Sequence, residues 1–438
     1  MYPSAVIFDT KQSRNPTFID GILSEFLFLF LFQRCLKQLE TLYPSRYPFR
    51  FRNSQMFTIG IRVGSQTRLK LVAGGRLWTM VAHKLLCFPG QPTINSPLRH
   101  ATAVVSRRHF FKGNQPTCVN ALKGHIGFVS SVAFHPTQPN ILATGGHHDK
   151  TAKVWTMSPD GTVAICVATL EGHRQDVYSV VFHPTQPLLV TCSLDKTAKV
   201  WRLSADGASA TCVATLDGHS SGVKYVAFHP IKLFLVTCSI DKTAKVWRMS
   251  ADGTKVTCVT TLAGHSGCVT SVAFHSSEPI MATASIDRTV KLWRISPDGM
   301  SPDGMSATCI ATLEGHSLEV YSVAFHPVKT FLLVTCSRDK TVKLWRISPD
   351  GTAATCVETL EGHSHSINSF TFHPSAPLFL TCSDDKTVKM WRMSPDGTSA
   401  TCVATLEGHS SFVSSVAFDL TGRFVVTGSW DKTAKIWQ

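Results

Sequence analysis

From residue 116 onward the chain alternates short apolar, often β-branched runs with polar turns, and the runs come in fours. In one such unit Val177–Phe182 (VYSVVF) reads as a buried strand. His183-Pro184-Thr185-Gln186-Pro187 turns the chain, and Leu188–Ser193 (LLVTCS) is a second apolar run. Asp195-Lys196 predicts a tight turn, after which Thr197–Leu203 (TAKVWRL) alternates as a half-buried strand does. Ser204-Ala205-Asp206-Gly207 predicts another turn, with Gly207 supplying the positive φ, and Thr211–Leu216 (TCVATL) is the fourth strand.

The unit recurs. Gly-His stands at 124–125, 172–173, 218–219, 264–265, 315–316, 362–363 and 408–409, at spacings of 48, 46, 46, 51, 47 and 46. The long spacing has a visible cause, because Ser296–Met300 (SPDGM) is copied at Ser301–Met305. A fixed period of this length means a repeat architecture in which each unit buries its apolar face on its neighbours. Each unit also carries a tryptophan at a fixed offset: Trp155, Trp201, Trp247, Trp293, Trp345, Trp391 and Trp437.

On these motifs, residues 116–438 resemble a WD-repeat (WD40-type) β-propeller with seven repeats. The resemblance implies an all-β, closed seven-bladed propeller, here preceded by a basic N-terminal extension over 1–115 with helical character. The namesake dipeptide is missing: Arg follows the tryptophan in five copies, Thr156 in the first and Gln438 in the last. That Asp lies outside the buried network of the fold, so the fold expectation stands. The last unit stops at Trp437-Gln438 without a fourth strand, while residues 117–122 (TCVNAL) match the fourth-strand pattern. This leading strand is expected to complete the last blade and remove a free sheet edge.

Polar residues recur in register too. The first unit has His125, Asp149 and Trp155; the second His173, Thr191, Asp195 and Trp201; the third His219, Thr237, Asp241 and Trp247. The fourth has His265, Thr283, Asp287 and Trp293, and the fifth His316, Thr335, Asp339 and Trp345. The sixth has His363, Thr381, Asp385 and Trp391, and the seventh His409, Thr427, Asp431 and Trp437. Histidine, hydroxyl and carboxylate together resemble a hydrolase triad, but catalytic sites do not recur sevenfold. The resemblance implies structural tetrads in which these groups satisfy one another, and no catalytic residue is assigned.

The cysteines recur on the fourth strand (Cys118, Cys166, Cys212, Cys258, Cys309, Cys356, Cys402) and on the second (Cys192, Cys238, Cys336, Cys382). No C-x-x-C pair occurs, so small, buried, reduced side chains are expected rather than zinc or redox sites. His147-His148, with one extra residue before Asp149, reads as a distorted turn, and no metal or cofactor is assigned. No phosphate-binding loop or dinucleotide fingerprint is present, and no small-molecule substrate is expected.

The resemblance also implies that partners meet the top face at three places per blade. Three residues after the Gly-His histidine stand Phe128, Asp176, Gly222, Cys268, Glu319, Ser366 and Phe412. Five after stand Ser130, Tyr178, Lys224, Thr270, Tyr321, Asn368 and Ser414, and before the turn Asp stand His148, Leu194, Ile240, Ile286, Arg338, Asp384 and Trp430. These positions differ most between units whose neighbouring positions are nearly constant. Phe412, Trp430, Phe128 and His148 are expected to form an aromatic patch where blades seven and one meet. Asp176, Tyr178, Glu319 and Tyr321 would add a partly acidic element, and Leu194, Ile240 and Ile286 an apolar arc.

Charge sharpens the division of the chain. Of 43 Lys+Arg and 29 Asp+Glu, residues 1–115 hold 16 and 4, a net +12; residues 116–438 hold 27 and 25, a net +2. The basic excess therefore argues against a general nucleic-acid surface on the repeats. The longest apolar run, Phe26–Phe32, is far short of a membrane span, and no secretory signal is recognisable. An intracellular, cytoplasmic or nuclear, protein is expected. In residues 1–115, Phe18–Leu42 and Leu69–Leu86 read as helical stretches, and Ser45–Arg52 and Arg107–Lys112 as basic-aromatic patches. The leading expectation is a non-catalytic scaffold for partner proteins or peptides. The alternatives are a ubiquitin-ligase substrate receptor with an F-box-like N-terminal adaptor, and an RNA or ribosome-assembly factor using the basic segment.

Overall fold

The computed structural model describes residues 57–63, 67–74, 77–84, 116–204, 207–230, 232–295, 306–329 and 331–438. From 116 on, the chain forms seven antiparallel four-stranded sheets, the blades of a propeller. In blade two the strands run from innermost to outermost as Val177–Phe182, Leu188–Ser193, Ala198–Leu203 and Ala210–Leu216.

The strand patterns follow from where each strand sits. The second strand lies between two neighbouring blades and is buried along its whole length, which is why Leu188–Ser193 reads as an unbroken apolar run ending in small hydroxyl and thiol side chains. The third strand alternates, and at each structural tryptophan its pairing with the outermost strand shifts register, as between Val200 and Trp201. The outermost strand is largely solvent-facing.

The cores lie between blades. Ile141, Ala143 and Val154 of blade one pack with Val177, Val180 and Trp201 of blade two, and equivalent clusters fill the other junctions. Fully burying a Val or Leu contributes about 1.5–3 kcal/mol, so a blade gains its stability largely from its neighbours.

Blade seven is built from Val413–Phe418, Val425–Ser429 and Thr433–Trp437, and its outermost strand is Cys118–Lys123 from the start of the repeat region. Thr117 and Gln438 exchange both backbone hydrogen bonds, each 3.0 Å. One cluster joins Leu122, Val426 and Ile436 of blade seven to Val129, Leu142 and Trp155 of blade one. The seventh junction thus has the same kind of core as the others.

Two expectations require correction. The described part of Leu69–Leu86 is strand, not helix: Thr67–Gly74 and Leu77–Lys84 are antiparallel strands, joined by Phe57–Val63 in a three-stranded sheet. Gly74 pairs with Leu77 and Leu71 with Met80 across the hairpin. The fourth-strand cysteines, Cys118 to Cys402, are exposed, whereas Cys192, Cys238, Cys268, Cys336 and Cys382 are buried. The outermost strand has no further strand or blade to cover it, so its thiols face solvent. All twelve described cysteines are free thiols. Phe18–Leu42, Ser45–Arg52, Arg107–Lys112 and the copied SPDGM segment lie outside the described residues. Among the described residues no helix is long and apolar enough to cross a membrane.

Candidate functional site: one face of the propeller

The tetrads set the geometry from which the face is built. In every blade the tryptophan indole N–H donates to a threonine hydroxyl at 2.8–2.9 Å. The same oxygen lies 2.6–2.8 Å from the histidine Nε2. The histidine Nδ1 lies 2.5–2.8 Å from the aspartate. A carboxylate only accepts, so Nδ1 carries the proton and Nε2 accepts from the threonine hydroxyl. Burial opposes ionisation of Asp195, yet hydrogen bonds from His173 and Thr197 prevail and hold its carboxyl well below the usual range. Each Gly-His glycine lies against its tryptophan; at Gly172, φ is +141° and an added Cβ would stand 3.6 Å from Trp201.

Blade one completes its tetrad with Thr144, a residue the sequence pattern did not assign. Elsewhere the aspartate backbone N–H is held by a serine, as Asp195 is by Ser193 Oγ at 3.0 Å. Blade one has Gly146 at that place, because a Cβ there would come within 2.1 Å of Asp149 and 2.3 Å of His125.

The tetrads aim two loops at one face. In blades two to seven, the residue before the turn Asp donates its N–H to the carbonyl three after the Gly-His histidine. Examples are Leu194 to Asp176, Ile240 to Gly222 and Trp430 to Phe412, each 2.9 Å, with Ile286, Arg338 and Asp384 bonded likewise. In blade one the extra residue makes His147 the equivalent donor, to Phe128 at 2.8 Å. His148, the expected contact position, is displaced outward, and its N–H reaches Asp176 Oδ1 of blade two at 2.8 Å.

Several candidate contact residues are engaged within the fold. The hydroxyls of Ser130, Thr270 and Ser414 and the amide of Asn368 donate to the first carbonyl of the next blade's inner strand, Val177, Val320, Val129 and Val413 respectively. They staple blade junctions. Lys224 stands 3.8 Å above the Tyr178 ring, and burial lowers its pKa. Arg338 pairs with Glu319 at 2.8 Å beside half-buried Tyr321, which offsets that carboxylate's charge, and the Asn368 amide donates to Asp384 at 2.7 Å. Leu194 and Ile240 close over Gly222, leaving Ile286 the exposed member of the apolar arc.

The aromatic residues do come together. Trp430 is 44% exposed; its ring stacks on Phe128 at 4.5 Å and 7°, with Phe412 tilted against it at 5.3 Å. His365 stacks on Phe412 at 6.2 Å, and Phe128 meets His148 at 5.3 Å. His147 meets Tyr178 at 5.4 Å. An unbroken arc of rings thus runs from blade six through seven and one to blade two. His147 and His365, which extend it, lie one step off the expected positions.

A family model described as WD domain, G-beta repeat, matches residues 116–156, 164–202, 210–248, 256–294, 307–346, 354–392 and 400–438. No curated protein matches the chain.

Proposed function

The chain belongs to the WD domain, G-beta repeat family, and from that premise we propose that it is a non-catalytic scaffold that holds a segment of a partner protein on the face bearing Trp430. Propellers of this family generally serve as protein-interaction scaffolds and are typically non-enzymatic. The observation that carries the finer reading is the exposed Trp430–Phe128 stack, flanked by Phe412 and His365. A large indole held rigidly at the surface loses little side-chain freedom on binding, and such residues dominate interface energies. An apolar or aromatic side chain from the partner, ringed by polar contacts, fits this chemistry. The buried tetrad histidines support the non-catalytic reading, since both ring nitrogens are already bonded. The ligase-adaptor and RNA readings rest on residues 1–115 and gain no support from the three described strands there.

The test is affinity capture with the full chain and with Trp430→Ala, alone and combined with Phe412→Ala and Phe128→Ala. A hot-spot residue is worth about 2 kcal/mol or more, about thirtyfold in affinity, so the captured partner should be lost while the circular dichroism of the propeller is kept. Unchanged recovery by the triple variant rules this patch out.

A further inference from the structure

We propose that His147, His148 and Asp176 form a binding site for a zinc-class divalent cation across the junction of blades one and two. One donor atom from each lies within 4.8 Å of the others. His147 Nδ1 stands 3.1 Å from Asp176 Oδ2, about the ligand-to-ligand edge of a tetrahedral site with bonds of about 2.0–2.2 Å. His148 Nδ1 is 4.0 Å from Asp176 Oδ1, and its side chain is 59% exposed, so a rotation of its ring would bring the third donor inward. Two imidazoles and a carboxylate suit a borderline cation and leave a fourth position for water.

Three further observations point to a ligand. His147 Nδ1 is buried and has no hydrogen-bond partner despite the nearby carboxylate, and an ion between them would satisfy both. The pair exists because blade one alone carries an extra residue in this turn, with two glycines before it. That turn holds two left-handed non-glycine residues, His148 at φ 72° and Lys150 at φ 60°, where every other blade has one. Finally, Asp176 already grips the His148 backbone, which fixes the third donor relative to the loop. Lys224, the one lysine whose charge acts on His147, is turned onto the Tyr178 ring.

The test is titration of the chelator-stripped full chain with Zn²⁺ at neutral pH, followed by Co²⁺, whose absorption separates thiolate from imidazole ligands. The expected result is one equivalent bound without a thiolate band, and affinity lowered roughly tenfold or more in both His148→Ala and Asp176→Asn, since even outer-shell changes cost about 10–100-fold. Asp176→Asn keeps an acceptor for the His148 N–H, so the loop is retained. Trp430→Ala should bind zinc as the parent does, which separates this site from partner capture. No stoichiometric binding, a thiolate spectrum, or affinity unchanged in the two ligand variants would each overturn the proposal.

Discussion

The tetrad is ordered by its threonine. Thr191 Oγ1 receives the Trp201 indole and faces His173 Nε2, so one hydroxyl satisfies two other buried groups. Thr191→Val keeps the volume and leaves both without a partner, at about 1–3 kcal/mol each. The denaturation midpoint should fall accordingly, with the far-ultraviolet spectrum unchanged; a midpoint equal to that of the parent chain would refute this account. Six of the seven threonines are legible from their place in a Thr-Cys-Ser or similar triplet. Thr144 is not, because Gly145-Gly146-His147-His148 breaks that pattern and shifts the count to Asp149. The glycine that hides the threonine is required by the same tetrad, since no side chain fits between Asp149 and His125.

At the scale of the element, the informative strand is Cys118–Lys123, which is remote in sequence from the strand it pairs with, Thr433–Trp437. Its likeness to the other fourth strands makes it readable. The hairpin at 67–84 is misread as helical because its apolar residues satisfy either period, and only the Gly-Gly break favours a turn. Chains beginning at residue 116 and at residue 124 should differ sharply. The longer retains the outermost strand of blade seven; the shorter leaves the Trp437 strand as an open edge able to pair with another chain. Size-exclusion chromatography should show a monomer for the first and dimers or larger species for the second, together with a lower unfolding midpoint. Identical elution and stability would mean that the strand contributes nothing to closure.

For the whole molecule, alignment of the units reveals what they share and hides what passes between them. Asp176 beside His147, Lys224 over Tyr178 and Phe128 on Trp430 all cross blade boundaries. These contacts arise from the ring, so no spacing within a unit could disclose the full neighbourhood of the face. The staples have the same origin: Ser130 and Ser414 look variable and free in sequence, and both are bonded to the next blade. Charge, by contrast, is readable directly, with +12 of the +14 lying before the repeats. The placement of the thiols has a use of its own. Seven stand on the rim, one per blade, and Cys192, Cys238, Cys268, Cys336 and Cys382 are sealed within. A brief alkylating pulse on the native protein should therefore mark the rim set and spare the inner set, as read by peptide mass spectrometry. Equal labelling of Cys192 and Cys212 would contradict it. Longer pulses then time the parting of individual blades, because each inner thiol can react only when its own junction opens. The propeller carries a built-in stopwatch, with the rim thiols as the reference hand and the sealed ones counting how often each seam comes undone.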